Sequence, residues 1–537
     1  MISLFRRVTA GRSGRAAIAG ACAMLIVVAG PALRTKPALA AGPTAATLER
    51  MDRSIVARMP ANGVPGFAVA VVAGGRVVHA RAFGVADDSG RRVTPDTPFL
   101  LASSTKSLTA LAVMQLVDAG KVNLDAPIRR YVPEFSLAGD AAERITVRQV
   151  LQHTSGLPSN AAGGPILKLA AAGTAQQALG ELRGKSAASA PGDKMAYVNA
   201  NYVLAGLLVE HVSGERYGSY ITRHIFAPLG MTHSFSAPGP ARRDGLAAGH
   251  DYVFGMTRTT GPAYRPGMLA AGYVMSSARD MASYLAVFLN DGVGLNGKRI
   301  VSARGVHTLL TGGRPSTHLG PWADTVSSHY AMGWFDGGPW KEPALLHPGD
   351  AADSSSLIVL LPRRDLAVVT LANTSNELAV PGNPAAITRM QRNAVDVLLD
   401  EPVNSGMSVH RFYLMFDLTA ALLLAAALLG LTRAVLALRR RMRPRHRVLA
   451  IIGVPGRIAV AAVVLGYPAL TGIGWTAMRV WHIDLALTLA VIGATVIATA
   501  GVRLTWLLRT PTSTHRAPAP PPADTAPVAV RDIELVA

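Results

Sequence analysis

Apolar positions are arranged in two different ways along this chain, and the change falls near residue 408. Before it they come in short runs. Residues 67–72 (FAVAVV) and 76–83 (RVVHARAF) are strand-like and are joined through Ala73-Gly74-Gly75, the composition of a tight hairpin turn. Residues 357–361 (LIVLL) and 366–371 (LAVVTL) repeat that device around 362–365 (PRRD). After Ser103, apolar residues at Leu108, Leu111, Met114, Leu116 and Val117 follow a helical period, and 384–400 predicts a closing helix. Strands from both ends of the region with helices between them predict an α/β unit, one antiparallel sheet packed with helices, over residues 41–408.

Beyond residue 408 the apolar runs lengthen to what a bilayer requires. Three spans are predicted within 409–508, at about 412–432, 458–478 and 485–502. Starting the second at Val448 would bury Arg457 near mid-membrane, so the later start is expected, with 448–456 interfacial. Residues 1–40 read as an export signal or N-terminal anchor: a basic start, an apolar stretch at 16–28 and the small-residue site 38–40 (ALA). Either reading puts the following domain outside the cytoplasm. The tail, 509–537, carries the proline-rich run 517–524 (APAPPPAD) and is expected to be disordered and cytoplasmic.

Half of the residues are apolar, which suits a chain that is partly membrane-embedded. The formal net charge of +20 raises the question of nucleic acid. Its distribution answers it. Residues 41–408 hold 33 basic and 28 acidic side chains, so most of the excess lies in the flanks, at Arg6, Arg7, Arg12, Arg15 and in 439–447 (RRRMRPRHR). Basic clusters beside apolar spans follow the positive-inside pattern, with lipid headgroups as the partner and no nucleic acid. On this pattern the first span runs inward to the 439–447 cluster, the second returns outward, and the third comes back in to Arg503 and Arg509. The one cysteine, Cys22, lies in the N-terminal apolar stretch, so a chain cleaved after it has neither a disulfide nor a thiol nucleophile. No paired-cysteine, His-Glu-x-x-His or phosphate-loop pattern points to a metal, nucleotide or other cofactor.

Candidate chemistry begins at 103–106 (SSTK). Residues three apart share a helix face, so the Ser103 hydroxyl and the Lys106 amine can meet. A serine is a weak nucleophile until a base takes its proton, and a desolvated lysine can be that base. Taken alone, the same residues also describe a serine N-cap followed by a solvated lysine.

Residues 99–127 (FLLASSTKSLTALAVMQLVDAGKVNLDAP) closely resemble the nucleophile helix of class C β-lactamases, D-alanyl-D-alanine carboxypeptidases and related esterases. Further resemblances follow in family order at 151–158 (LQHTSGLP), 197–202 (YVNANY), 272–280 (GYVMSSARD) and 347–349 (HPG). The resemblance implies a β-lactamase/transpeptidase-like sheet with a helical subdomain. It implies Ser103 as the acylated nucleophile, Lys106 as the group that deprotonates it and Tyr197 as a proton shuttle to the leaving group. Asn199 would position substrate and Lys106, and a cationic neighbour would lower the Tyr197 pKa. His347 and Gly349 would bind substrate from an edge strand, and the backbone N–H groups of Ser103 and Asp350 would form the oxyanion hole. Relatives usually carry a small residue where Asp350 stands, and often lysine where His347 stands, so a carboxylate-bearing β-lactam is expected to be a poor substrate. In 151–158, His153 resembles a turn element with a structural role. The expected function is a membrane-anchored serine hydrolase of small-molecule or peptide amides or esters; the alternative is a penicillin-binding sensor that acylates without turnover.

Overall fold

A computed structural model describes residues 42–158, 173–261, 264–315, 329–375, 386–440, 447–470, 475, 478–479 and 483–509. The expected signal or anchor, Cys22, most of the 439–447 cluster and the tail beyond Arg509 lie outside the described residues.

The strand-like runs form one eight-stranded antiparallel sheet. Its strands are β1 (Gly66–Ala73), β2 (Arg76–Gly84), β3 (Arg314–Pro315), β4 (His329–Tyr330), β5 (Phe335–Asp336), β6 (Leu345–Ala351), β7 (Ser354–Leu361) and β8 (Leu366–Ala372), in the order β2-β1-β8-β7-β6-β5-β4-β3. The expected hairpins both form. Gly74 and Gly75 have φ of +56° and +69°, the left-handed pair that a two-residue turn matching the strand twist requires. In the second hairpin Asp365, at φ +49°, closes the turn before β8.

Every residue of β1, β7 and β8 is buried, because helices cover both faces of the sheet. Side chains alternate between faces along a strand. Ala68, Ala70 and Val72 of β1 therefore join one core with α2 (Thr105–Asp118), α3 (Asn199–Ser213) and α4 (Ala278–Leu289). Phe67, Val69 and Val71 join a second core with Met51 and Ile55 of α1 (Ala45–Arg58) and Ile387, Met390 and Ala394 of α5 (Ala386–Leu398). Each fully buried side chain of this size contributes about 1.5–3 kcal/mol. Helix α2 enters the first core with Thr105 through Met114 all buried, only its last turn reaching solvent at Asp118. A helix buried on all sides is a rigid mount for whatever stands at its N-terminus.

Three further helices follow, α6 (Val409–Arg439), α7 (Arg447–Leu470) and α8 (Ile483–Arg509), each long and apolar enough to cross a membrane. Only 6% of the most apolar window of α6 is buried although its mean hydropathy is 2.2, so its leucines face outward. That surface is the reverse of a water-soluble helix. The second helix runs from Arg447 to Leu470, starting before the expected span and taking in Arg457. The Arg457 guanidinium turns back one turn and donates 2.6 Å to the Gly453 carbonyl, where the absent side chain leaves room.

Candidate active site

The turn that enters α2 sets up the site. Ala102 has φ of +46°, a conformation that L-residues avoid, and the short 3-10 turn Ala102–Ser104 carries the chain from there into the helix. From Leu101 to Met114 only Ser103 is not buried. Its neighbours are stitched to the sheet. Ser104 Oγ donates 3.0 Å to the His347 carbonyl and lies 2.8 Å from Ser356 Oγ, which donates 2.6 Å to the Leu101 carbonyl. Gly349 of β6 faces this turn so closely that a Cβ there would lie 2.3 Å from the Leu101 carbonyl oxygen. The glycine thus admits the nucleophile turn itself, a closer neighbour than the substrate approach read from the sequence.

Lys106 is fully buried, with Nζ 3.1 Å from Ser103 Oγ and donating 2.6 Å to the carbonyl of Ala271. Burial pushes its pKa well below the ordinary lysine value. That shift is the direction a general base needs, and the amine stands within hydrogen-bond reach of the serine hydroxyl. Asn199 opens α3 and is not among the hydrogen-bond partners of Lys106. The carbonyl of Ala271, which sequence reasoning did not single out, holds the amine in place.

The Tyr197 ring lies under the Lys106 ammonium position, 4.9 Å from Nζ to the ring centre. Its pKa is raised, first by burial and also by the charge of Asp350, while a hydrogen bond to Ser103 works the other way. This reverses the expected direction. Desolvation is the largest cause, so Tyr197 rests as a protonated phenol. His153 holds the segment in place from below. It is 1% exposed and has φ of +56°. Its Nδ1 accepts from the Val198 N–H at 3.2 Å and from Asn201 Nδ2 at 3.1 Å, and its ring centre is 4.4 Å from that of Tyr197. Two donors on Nδ1 put the ring proton on Nε2, which has no hydrogen-bond partner among the described residues. Burial and the proximity of Lys106 lower the His153 pKa, so this imidazole is neutral. Asn201 in turn accepts 2.6 Å from Ser155 Oγ. The runs 151–158 and 197–202 each hold part of this cluster in sequence, yet only the fold shows which atoms meet.

His347 is 1% exposed and both its nitrogens are engaged. Nδ1 donates 2.7 Å to the Pro348 carbonyl, and Nε2 accepts from the Tyr330 hydroxyl at 3.2 Å. Burial, with Lys106 nearby, lowers its pKa to about 3. The resting side chain has neither the charge nor the free nitrogen expected of a substrate anchor. Strand β5 pairs with β6 only at Leu345 and Leu346, so from His347 onward that edge of β6 has no strand beside it and lies along the nucleophile turn. Asp350 follows on that edge, its Oδ1 accepting 2.7 Å from Ser375 Oγ. Among the described residues no group of three His, Cys, Asp or Glu is placed to share a metal ion.

This geometry has relatives. Over 335 residues the chain is 27% identical to Protein flp of Staphylococcus aureus (strain N315), covering 61% of this chain and 64% of that one. The chain thus spans somewhat less than two thirds of that relative's length. It is 28% identical over 320 residues to Penicillin-binding protein 4 of Amycolatopsis lactamdurans, 58% of this chain and 81% of that one. Among solved structures, the octameric penicillin-binding protein homologue from Pyrococcus abyssi superposes with a TM-score of 0.58 at 25% identity, over 67% of this chain and 78% of that one. The D-amino acid amidase from Ochrobactrum anthropi SV3 does so with a TM-score of 0.55 at 24% identity, over 66% and 97%, a likeness of fold. The model of the Beta-lactamase family matches residues 51–388, from α1 into α5, and the chain belongs to that family.

Proposed function

We propose that this protein is a membrane-anchored serine hydrolase that forms an acyl-enzyme on Ser103 from an amide or ester. The observation that carries the reading is the Lys106 amine, buried and 3.1 Å from the hydroxyl of the one residue in its helix turn that solvent reaches. As Ser103 Oγ attacks the carbonyl carbon, its proton passes to Lys106 Nζ, and the negative charge collects on the carbonyl oxygen. The N–H groups of Ser103 and Asp350 receive that oxygen. Tyr197, resting as a phenol, protonates the departing nitrogen or oxygen and regains its proton from Lys106. Water then attacks the Ser103 ester by the same relay in reverse, releasing the acid and restoring the hydroxyl. A neutral His347 and the Asp350 carboxylate favour esters over substrates that carry their own carboxylate. The apolar surface of α6, α7 and α8 supports the anchor.

A fluorophosphonate or penicillin probe should label the full chain covalently, with the adduct mapping to Ser103 and absent from Ser103→Ala. Undiminished labelling of that variant sinks the assignment. A sensor that stays acylated would use the same residues, and the contact between the domain and α8 described next favours keeping that reading in view. Single-turnover deacylation slower than minutes would select it.

A further inference from the structure

A small hairpin, Gly249–Val253 paired with Met256–Thr260, stands apart from the main sheet. Its two-residue turn is Phe254-Gly255, with φ of +49° and +73°. Turns of this kind take Asn-Gly or Asp-Gly, because both central residues must be left-handed. Phenylalanine is a costly choice there, and a bulky residue held in that conformation points to a function outside the fold. The turn is also exposed: Phe254 is 43% and Met256 71% accessible. Neither turn chemistry nor core packing asks for two large apolar side chains at this tip.

The surroundings of the tip name the partner. A Cβ on Gly255 would lie 2.8 Å from Tyr413 Cβ on α6, and the Tyr252 and Tyr413 rings stack at 6.1 Å. The Phe254 N–H donates 3.1 Å to Oδ2 of Asp484, a 1% exposed residue in the first turn of α8. The hairpin tip therefore sits level with the starts of both α6 and α8. Phe412, Tyr413 and Phe416 form an aromatic cluster at the same level. Aromatic rings gather where apolar helices cross from headgroups into hydrocarbon.

We propose that this hairpin is a lipid-facing foot of the hydrolase domain, its Phe254 and Met256 side chains seated in the headgroup layer of the leaflet where α6 and α8 begin. The proposal rests on reading these helices as membrane spans. Asp484 holds the foot through the Phe254 N–H. At the other end the hairpin is bound to the cleft. His250 N donates 3.0 Å to the Asp353 carbonyl, Thr374 Oγ1 donates 2.9 Å to the His250 carbonyl, and the adjoining Ser375 reaches Asp350. Four residue steps along the strand lead from His250 to Phe254, about 13 Å at the usual rise. The foot thus fixes the Asp350 side of the cleft at a short, constant height above the bilayer.

The test uses the full chain with Cys22→Ser, reconstituted in phosphatidylglycerol-containing nanodiscs. Single cysteines at Met256→Cys, Phe254→Cys, Leu422→Cys in mid-α6 and Lys298→Cys on the far surface each carry an environment-sensitive fluorophore. Headgroup-spin-labelled lipid should quench positions 256 and 254 at least twofold more than 298, and acyl-chain-spin-labelled lipid should quench 422. Quenching at 422 with none at 256 or 254 overturns the foot and leaves the spans standing; no quenching at 422 overturns the span reading. A blue-shifted signal at 256 that no lipid quenches means a protein covers the tip, and also overturns the proposal. A Met256→Cys melting temperature equal to that of the parent shows that the hairpin is intact.

Discussion

Replacing Lys106 by methionine should abolish acylation yet stabilise the protein, increasingly so as pH falls. The amine is fully buried, and burial lowers its pKa well below 10.5. In the unfolded chain the same amine is protonated up to about pH 10.4. The unfolded state therefore binds a proton that the folded state does not, and wild-type stability rises with pH across the interval between the two values. Within it, each pH unit is worth about 1.4 kcal/mol. Methionine fills a similar volume without a proton to lose. The variant forfeits the 2.6 Å donor to the Ala271 carbonyl, about 1–3 kcal/mol, but that loss does not depend on pH. Thermal unfolding of both full chains in detergent between pH 8 and pH 9.5 isolates the pH-dependent part. The melting-temperature gap, variant minus wild type, should shrink by roughly 2–3 °C per pH unit as pH rises. Probe labelling of Ser103 should fall by several orders of magnitude throughout. A gap that stays flat over this range would mean that Lys106 is charged when folded, and the base assignment would fail with it.

Gly349→Ala should cost several kcal/mol of stability and most of the activity, since its Cβ would lie 2.3 Å from the Leu101 carbonyl oxygen; thermal melts and labelling rates check both. Short p-nitrophenyl esters should show a higher kcat/KM than nitrocefin, and Asp350→Gly should narrow that difference by removing a like charge beside the developing oxyanion; a wild-type preference for nitrocefin counts against the substrate reading. Alkaline phosphatase fused after Ser408 should be active, while a fusion after Pro511 should be inactive and green fluorescent protein there should fluoresce; activity of both fusions would mean an even number of C-terminal spans, and the reverse pattern an inverted orientation.

The two long hairpins were legible because Gly74-Gly75 and the 362–365 turn are local chemistry, and the Ser103–Lys106 pairing because helical spacing is local too. The protonation states were not. The resting phenol of Tyr197 and the neutral rings of His153 and His347 follow from burial, assembled from segments far apart in the chain. The partnership of Tyr330 with His347 also depends on strand pairing at the sheet edge, where β4 and β5 are two residues long and carry little pattern. For α7, the fold adds a contact that charge alone did not show, the Arg457 side chain folded back onto the Gly453 carbonyl.

The lowered pKa of Lys106 is a property of the whole domain, more than of the site around it. No single neighbour lowers its pKa; the one cause is desolvation, supplied by a helix enclosed between the sheet and α3. Keeping an uncharged amine there is less costly than burying an ammonium without a carboxylate beside it. The same enclosure leaves Ser103 alone accessible at the helix entrance. Core packing and base strength are therefore one variable in this fold. A cavity-forming change such as Leu111→Ala, touching no catalytic group, should cost about 2–5 kcal/mol, read in thermal melts. Loosening this core should also reduce the desolvation of Lys106, so labelling of Ser103 at neutral pH should fall beside the melting temperature; unchanged labelling in the destabilised variant would separate base strength from packing.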